Sequence, residues 1–113
     1  MALQFFQPFP PTQLGNSVSV IFTVPSVPGT TVFIRGRVRL TNTDSNAHGV
    51  TLYSVQLSGS PALSNMFANA ETISPNSHMD IDVPILAAGG TLRAFADATG
   101  WVTITSLDGI LFS

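Results

Sequence analysis

Three arginines stand at alternate positions, Arg35, Arg37 and Arg39, and further along the chain His78, Asp80 and Asp82 repeat that spacing. An extended chain turns alternate side chains to one face, about 6.6 to 7 Å apart, so each trio forms a row on one side of a strand. Guanidinium groups at that pitch can follow the phosphates of a single nucleic-acid strand. They can also face solvent, or fork onto carboxylates, which arginine binds bidentately while staying charged. The row has no lysine near it, no second basic strand, and only Phe33 as an aromatic companion. Phosphate tracking is therefore the weakest of the three readings, and the aspartate row offers the carboxylates that the third requires. Spacing alone leaves open whether the two rows meet within one chain or across a subunit boundary.

The other reactive side chains are scattered. His78, Asp80 and Asp82 as a metal set lack a further ligand and a second shell. His48 lies in the turn Thr43 to Gly49, and Glu71, the single glutamate, follows a loop without a carboxylate partner. No glycine-framed serine or phosphate-cradling glycine pattern is present. Absence of cysteine removes thiolate nucleophiles, disulfides and cysteine-ligated zinc. We assign no catalytic, cofactor-binding or metal-binding residue, and expect no enzyme. Trp101, beside Gly100 at the head of a strand, reads as a core or interface anchor before it reads as a sugar platform.

These residues must be positioned by a chain of 113 residues, enough for one core. Charged residues make up 9% of it, against about 25% in an ordinary soluble domain, so much of its surface is expected to be covered by neighbours. A net charge of −2 gives no general field to draw polyanions. Neither nucleic acid nor membrane is an expected partner: no run of about 18 apolar residues occurs, and the proline-bearing N-terminus does not read as an export signal.

Strand patterns dominate. Val18, Val20 and Phe22 alternate with polar residues; Val32, Ile34, Val38 and Leu40 oppose Phe33 and the arginines; Met79, Ile81 and Val83 oppose His78, Asp80 and Asp82. Leu92 lies in a further strand, and Val102 and Ile104 in another; all these apolar residues are expected to point inward. Gly36 interrupts its apolar face, which signals a bulge or a close backbone approach. Ser58 to Ala70 reads as a long loop with one helical turn around Leu63 to Ala68, and Asp108-Gly109 as a hairpin turn before a last short strand. The expected fold is all-β, an antiparallel β-sandwich or jelly roll of about seven or eight short strands.

Residues 1–15 depart from this pattern, so the division is an extended N-terminal arm, 1–15, and a single sandwich domain, 16–113. Phe5, Phe6 and Phe9 stand among Pro8, Pro10 and Pro11, which excludes a helix or a central strand. An apolar arm of this kind either folds over an open edge of its own sandwich or docks on another subunit.

The stretches Leu40–Thr43, Val50–Tyr53, Ser58–Ser60, Ile73–Asn76, Leu86–Leu92, Gly100–Thr103 and Asp108–Ile110 resemble a recurrent series of strands and turns in β-rich virion proteins of tailed bacteriophages. The resemblance covers about the last two-thirds of the chain. It implies a structural protein of the capsid, most like a cement or decoration protein on the outside of the shell. Its partners would be the major capsid protein and other copies of itself, often as a homotrimer, with assembly in the host cytoplasm and residence in the virion. The resemblance carries over no site residue; from the arm, the charged rows and the lone tryptophan themselves, the expected interface residues are Phe5, Phe6, Phe9, Arg35, Arg37, Arg39, Asp80, Asp82 and Trp101. The competing class is a carbohydrate- or receptor-binding module, or a tail adaptor, with Trp101, Tyr53 or Phe95 as stacking platforms.

Overall fold

The computed structural model describes residues 3–5, 7–25 and 32–112. Ten strands are found there: β1 (Leu3–Phe5), β2 (Thr12–Gln13), β3 (Ser19–Thr23), β4 (Val32–Asn42), β5 (His48–Val55), β6 (Met66–Ile73), β7 (Ser77–Val83), β8 (Leu86–Ala87), β9 (Thr91–Ala96) and β10 (Val102–Phe112). One sheet runs β1-β10-β4-β7, with β2 also on β10 and β8 also on β4; the other runs β3-β9-β5-β6. All pairings are antiparallel. Because β1 and β2 occupy one edge of β10, and β7 and β8 one edge of β4, each sheet has four lanes. Numbered along the chain, the lanes lie in the orders 1-8-3-6 and 2-7-4-5.

Alternation explains the core. Val38 and Leu40 of β4, Val50 and Leu52 of β5, Leu92, Ala94 and Ala96 of β9, and Val102 and Ile104 of β10 are buried between the sheets. Phe22, Met79 and Ile81 pack against them in part.

Several expectations are corrected, and most corrections have one cause. Side chains change face every residue, so a single bulge inverts everything beyond it. A register shift between Val20 and Phe22 leaves Val18 and Val20 exposed (41% and 51%) while Phe22 turns inward. In β4 the pairing with β10 skips Ile34, and Phe33 becomes buried instead of standing beside the arginines. The side chains of Val32 and Ile34 lie outside the described residues. Asp108-Gly109 makes no hairpin: β10 continues through both, absorbing Leu107 as a bulge. The expected long loop ends early, with one 3₁₀ turn at Leu63–Asn65 followed at once by β6.

Residues 3–5 and 12–13 pair along β10, which is the alternative in which the N-terminal segment folds over an edge of its own sandwich. Phe9 and Leu14 are buried in the chain's own core, Phe9 with its ring 6.3 Å from that of Phe22. Phe9 therefore serves its own fold. Of Phe5 only the backbone pairing to Ile110 is described, and Phe6 lies outside the described residues.

Gly36 marks a close approach. A Cβ there would overlap the Phe33 ring, and one on its cross-strand partner Gly109 would come 3.1 Å from Phe33 Cε2 and 2.6 Å from Pro8 Cγ. The glycine pair is the bare floor on which that ring lies. Gly36→Ala is expected to displace the ring and cost about 1–3 kcal/mol, read as a lower urea midpoint with an unchanged slope.

Candidate functional site

The two charged rows meet within one chain. Antiparallel pairing of β4 with β7 sets Arg37 opposite Asp82, Arg39 opposite Asp80 and Thr41 opposite His78. Since Val38 and Leu40 of β4 are buried, the ion pairs lie on the outer face. Arg39 donates from Nε to Asp80 Oδ1 at 2.8 Å and from Nη2 to Oδ2 at 3.0 Å, a bidentate fork, and Arg37 Nε donates to Asp82 Oδ1 at 3.2 Å. These hydrogen bonds raise the Arg39 pKa and hold the Asp80 carboxyl below its ordinary value. Exposed pairs of this kind add little to stability; here they balance the arginine charge on that face. The side chain of Arg35 lies outside the described residues, and its backbone opposes Ile110.

A second cluster, which the spacing of residues does not announce, lies away from these rows. At the end of the sandwich where the segments 14–18, 43–47, 74–76 and 97–101 meet, the buried His48 lies between two carboxylates. Its Nδ1 is 2.6 Å from Asp97 Oδ1 and its Nε2 is 2.7 Å from Asp44 Oδ2. The ring stacks on Trp101, with centroids 6.4 Å apart and planes 10° from parallel. Asp97 Oδ2 also accepts from the Gly49 amide. Buried Asn42 holds the turn beneath, its Nδ2 within reach of the carbonyls of Asn46, Ile73 and Ser74 while its Oδ1 accepts from the Asp44 amide. Asp44, four residues before His48 across a turn, was the available sequence signal; Asp97 was not foreseeable without strand order.

Hydrogen bonding to Asp44, then to Asp97, raises the His48 pKa, and the bond from His48 lowers that of Asp44. Partial burial pushes Asp97 upward, but the Gly49 amide and His48 outweigh it and leave the carboxyl below its ordinary value. Both ring nitrogens face carboxylates, so no ring nitrogen is free to take a substrate proton, and the cluster is a clamp between turns. The sign of its pH dependence follows. A histidine pKa raised by folding contributes fully below the ordinary value of about 6.5 and loses that contribution as pH rises through the folded value. The lowered carboxylates contribute above about 3.9 and lose it as pH falls through their folded values. Melting temperature is thus expected to be highest between these limits and to decline on the alkaline side, and His48→Gln to flatten that decline in a pH series of thermal melts.

Among the described residues no group of three or more His, Cys, Asp or Glu side chains is placed to hold a metal ion. Tyr53 is buried and packs with Phe95, ring centroids 6.4 Å apart, so that pair offers little face for stacking; Trp101 is exposed with one face toward His48.

The end opposite to His48 has the reverse character. Leu57, Leu63 and Ile85 are 68%, 85% and 61% exposed, and residues 54–70 and 83–92 contain no charged side chain. Between these segments lies a groove of about 380 Å³ lined by Ser54, Gln56, Ser64, Asn65, Met66, Phe67, Pro84 and Ile85. The loop that presents Leu63 is pre-organised: Asn65 Oδ1 accepts from the Ala62 amide, Asn65 Nδ2 donates to the Ser60 carbonyl, and the Gly59 amide donates to the Gln56 carbonyl.

No family model and no characterised protein sequence matches the chain. Its backbone is similar to solved structures of infectious bursal disease virus. It aligns with the Gt strain at a TM-score of 0.51 and 10% identity, and with the T13 viral particle at 0.53 and 9%. The likeness is one of fold. The alignments take in 97% of this chain but 32% and 30% of those chains, so it spans about a third of their length.

Proposed function

We propose that the chain is a non-enzymatic structural component of a virus particle, a cement or decoration module that binds the outside of a capsid shell. The observation that carries this reading is the winding: lane orders 1-8-3-6 and 2-7-4-5 are those of a jelly roll, an architecture used by capsid domains among others, and nearly the whole chain aligns with part of a virus-particle chain. Fold alone does not assign function. Two features of the surface support the same reading. Charged side chains are scarce, and the large apolar residues Leu57, Leu63 and Ile85 are displayed together at one end. That end is the shell-facing surface, because an uncharged, pre-organised loop loses little on desolvation and ordering.

The experiment is co-sedimentation of the purified chain with undecorated shells of its virus. The wild type is expected to travel with the shells. Leu63→Asp, an exposed change that leaves the fold intact by circular dichroism, is expected to weaken binding at least about tenfold, as a charge buried without a partner would. Failure of the wild type to sediment with shells would overturn the reading.

A further inference from the structure

A four-lane sheet has two edges, and an edge strand offers unpaired amide and carbonyl groups to any other strand unless something blunts it. Three of the four edges here are blunted. The β7 edge carries His78, Asp80 and Asp82 and is followed by Pro84. The β6 edge is bulged against β5, has Ala70 in the left-handed region (φ 48°), and carries Glu71. The β1–β2 edge is broken between its two short strands by Pro8, Pro10 and Pro11.

The fourth edge, β3, is bulged at Ile21 and followed by Pro25, but the stretch before that bulge has none of these devices. It has no strand on its outer side among the described residues, and Asn16 to Val24 contains no charge and no proline. Asn16 through Val20 are exposed at every position, including the two valines that the bulge turned outward. We propose that β3 is a self-association edge: it pairs antiparallel with β3 of a second copy across a two-fold axis, making one continuous sheet of eight strands.

Two symmetry arguments and the placement of the nearest charge favour a second copy as occupant. An antiparallel strand pair about a two-fold is isologous, so each edge saturates the other and assembly closes at two. A two-fold perpendicular to the sheet keeps faces together, which brings Val18 and Val20 of both copies side by side on one surface. Like charges do not oppose the pairing: the nearest cation on this sheet is Arg93, opposite Val20 on β9, and its counterpart would lie three strand spacings away, about 14 Å. That exceeds the screening length of about 8 Å at physiological salt. The bulge at Ile21 confines the new ladder to the residues before it, so the association is concentration-dependent. This inference stands apart from the capsid reading and uses the opposite side of the molecule's surface chemistry, backbone instead of loop side chains.

The test is sedimentation equilibrium of the full chain over a wide concentration range, with amide hydrogen exchange. The wild type is expected to move between the 11.9 kDa monomer and twice that mass, and protection of Ser17 to Val20 to rise with concentration. Val20→Lys, a charge of the kind that guards natural edges, is expected to raise the dimer dissociation constant at least about tenfold while the thermal melt stays in place. Val18→Lys, outside the paired part of β3, gives the same readout should Val20→Lys disturb folding. A monomer at every concentration, a trimer mass, self-association indifferent to both lysines, or edge protection that arises only on adding a different protein would each overturn the inference.

Discussion

Deletion of residues 1–15 is expected to abolish cooperative folding. Leu14 and Phe9 are buried in the common core, and the segment's backbone is sewn into the far end of the sandwich: the Leu14 amide donates to Val102, and the Gly100 and Ala96 amides donate to Leu14 and Gly15. Phe→Ala in a core costs about 3–5 kcal/mol and Leu→Ala about 2–5, against a total stability of roughly 5–15 kcal/mol for a domain. Losing both side chains, with the edge that β1 and β2 provide for β10, removes most of that margin. Circular dichroism and urea titration of the truncated chain, with Phe9→Ala as the milder variant, measure this directly. A truncated chain with an unchanged unfolding midpoint would show that the N-terminal strands are an appendage to a core complete without them.

The second large effect is expected at Leu40. It is fully buried and lies in the middle of β4 between Ile104 of β10 and Met79 of β7. Leu40→Ala is expected to cost about 2–5 kcal/mol. Val18→Ala, at a position that simple alternation places inward, is expected to stay within about 0.5 kcal/mol, as exposed substitutions do. Equal losses at the two positions in denaturant titration would contradict the inverted phase assigned to β3.

That contrast shows where the sequence is legible. Alternation identified β4, β7, β9 and β10 because each holds one phase over most of its length, and the matched spacing of the arginine and aspartate rows was visible because the two rows face each other on adjacent strands. Bulges at Ile21, Ile34 and Leu107 leave no distinct mark in residue type, yet each shifts every later side chain to the other face. Simple alternation therefore misplaces Val18, Val20 and Phe33. The N-terminal prolines excluded a central strand, as expected, but an edge strand tolerates them, and the chain uses that exception to tuck Phe9 and Leu14 inside. By local pattern His48 is only a turn residue, because its second partner, Asp97, is brought to it by the pairing of β5 with β9, which no local pattern reveals.

The capsid reading is tested most directly by a cryo-EM reconstruction of intact virus particles assembled with this chain. The account predicts density matching the two-sheet sandwich at regular positions on the outer surface of the shell, oriented so that Leu57, Leu63 and Ile85 enter the contact and the His48–Trp101 end points away. Particles of full composition with no such density, or a sandwich seated with its ion-paired β4–β7 face against the shell and the apolar loops in solvent, would contradict it.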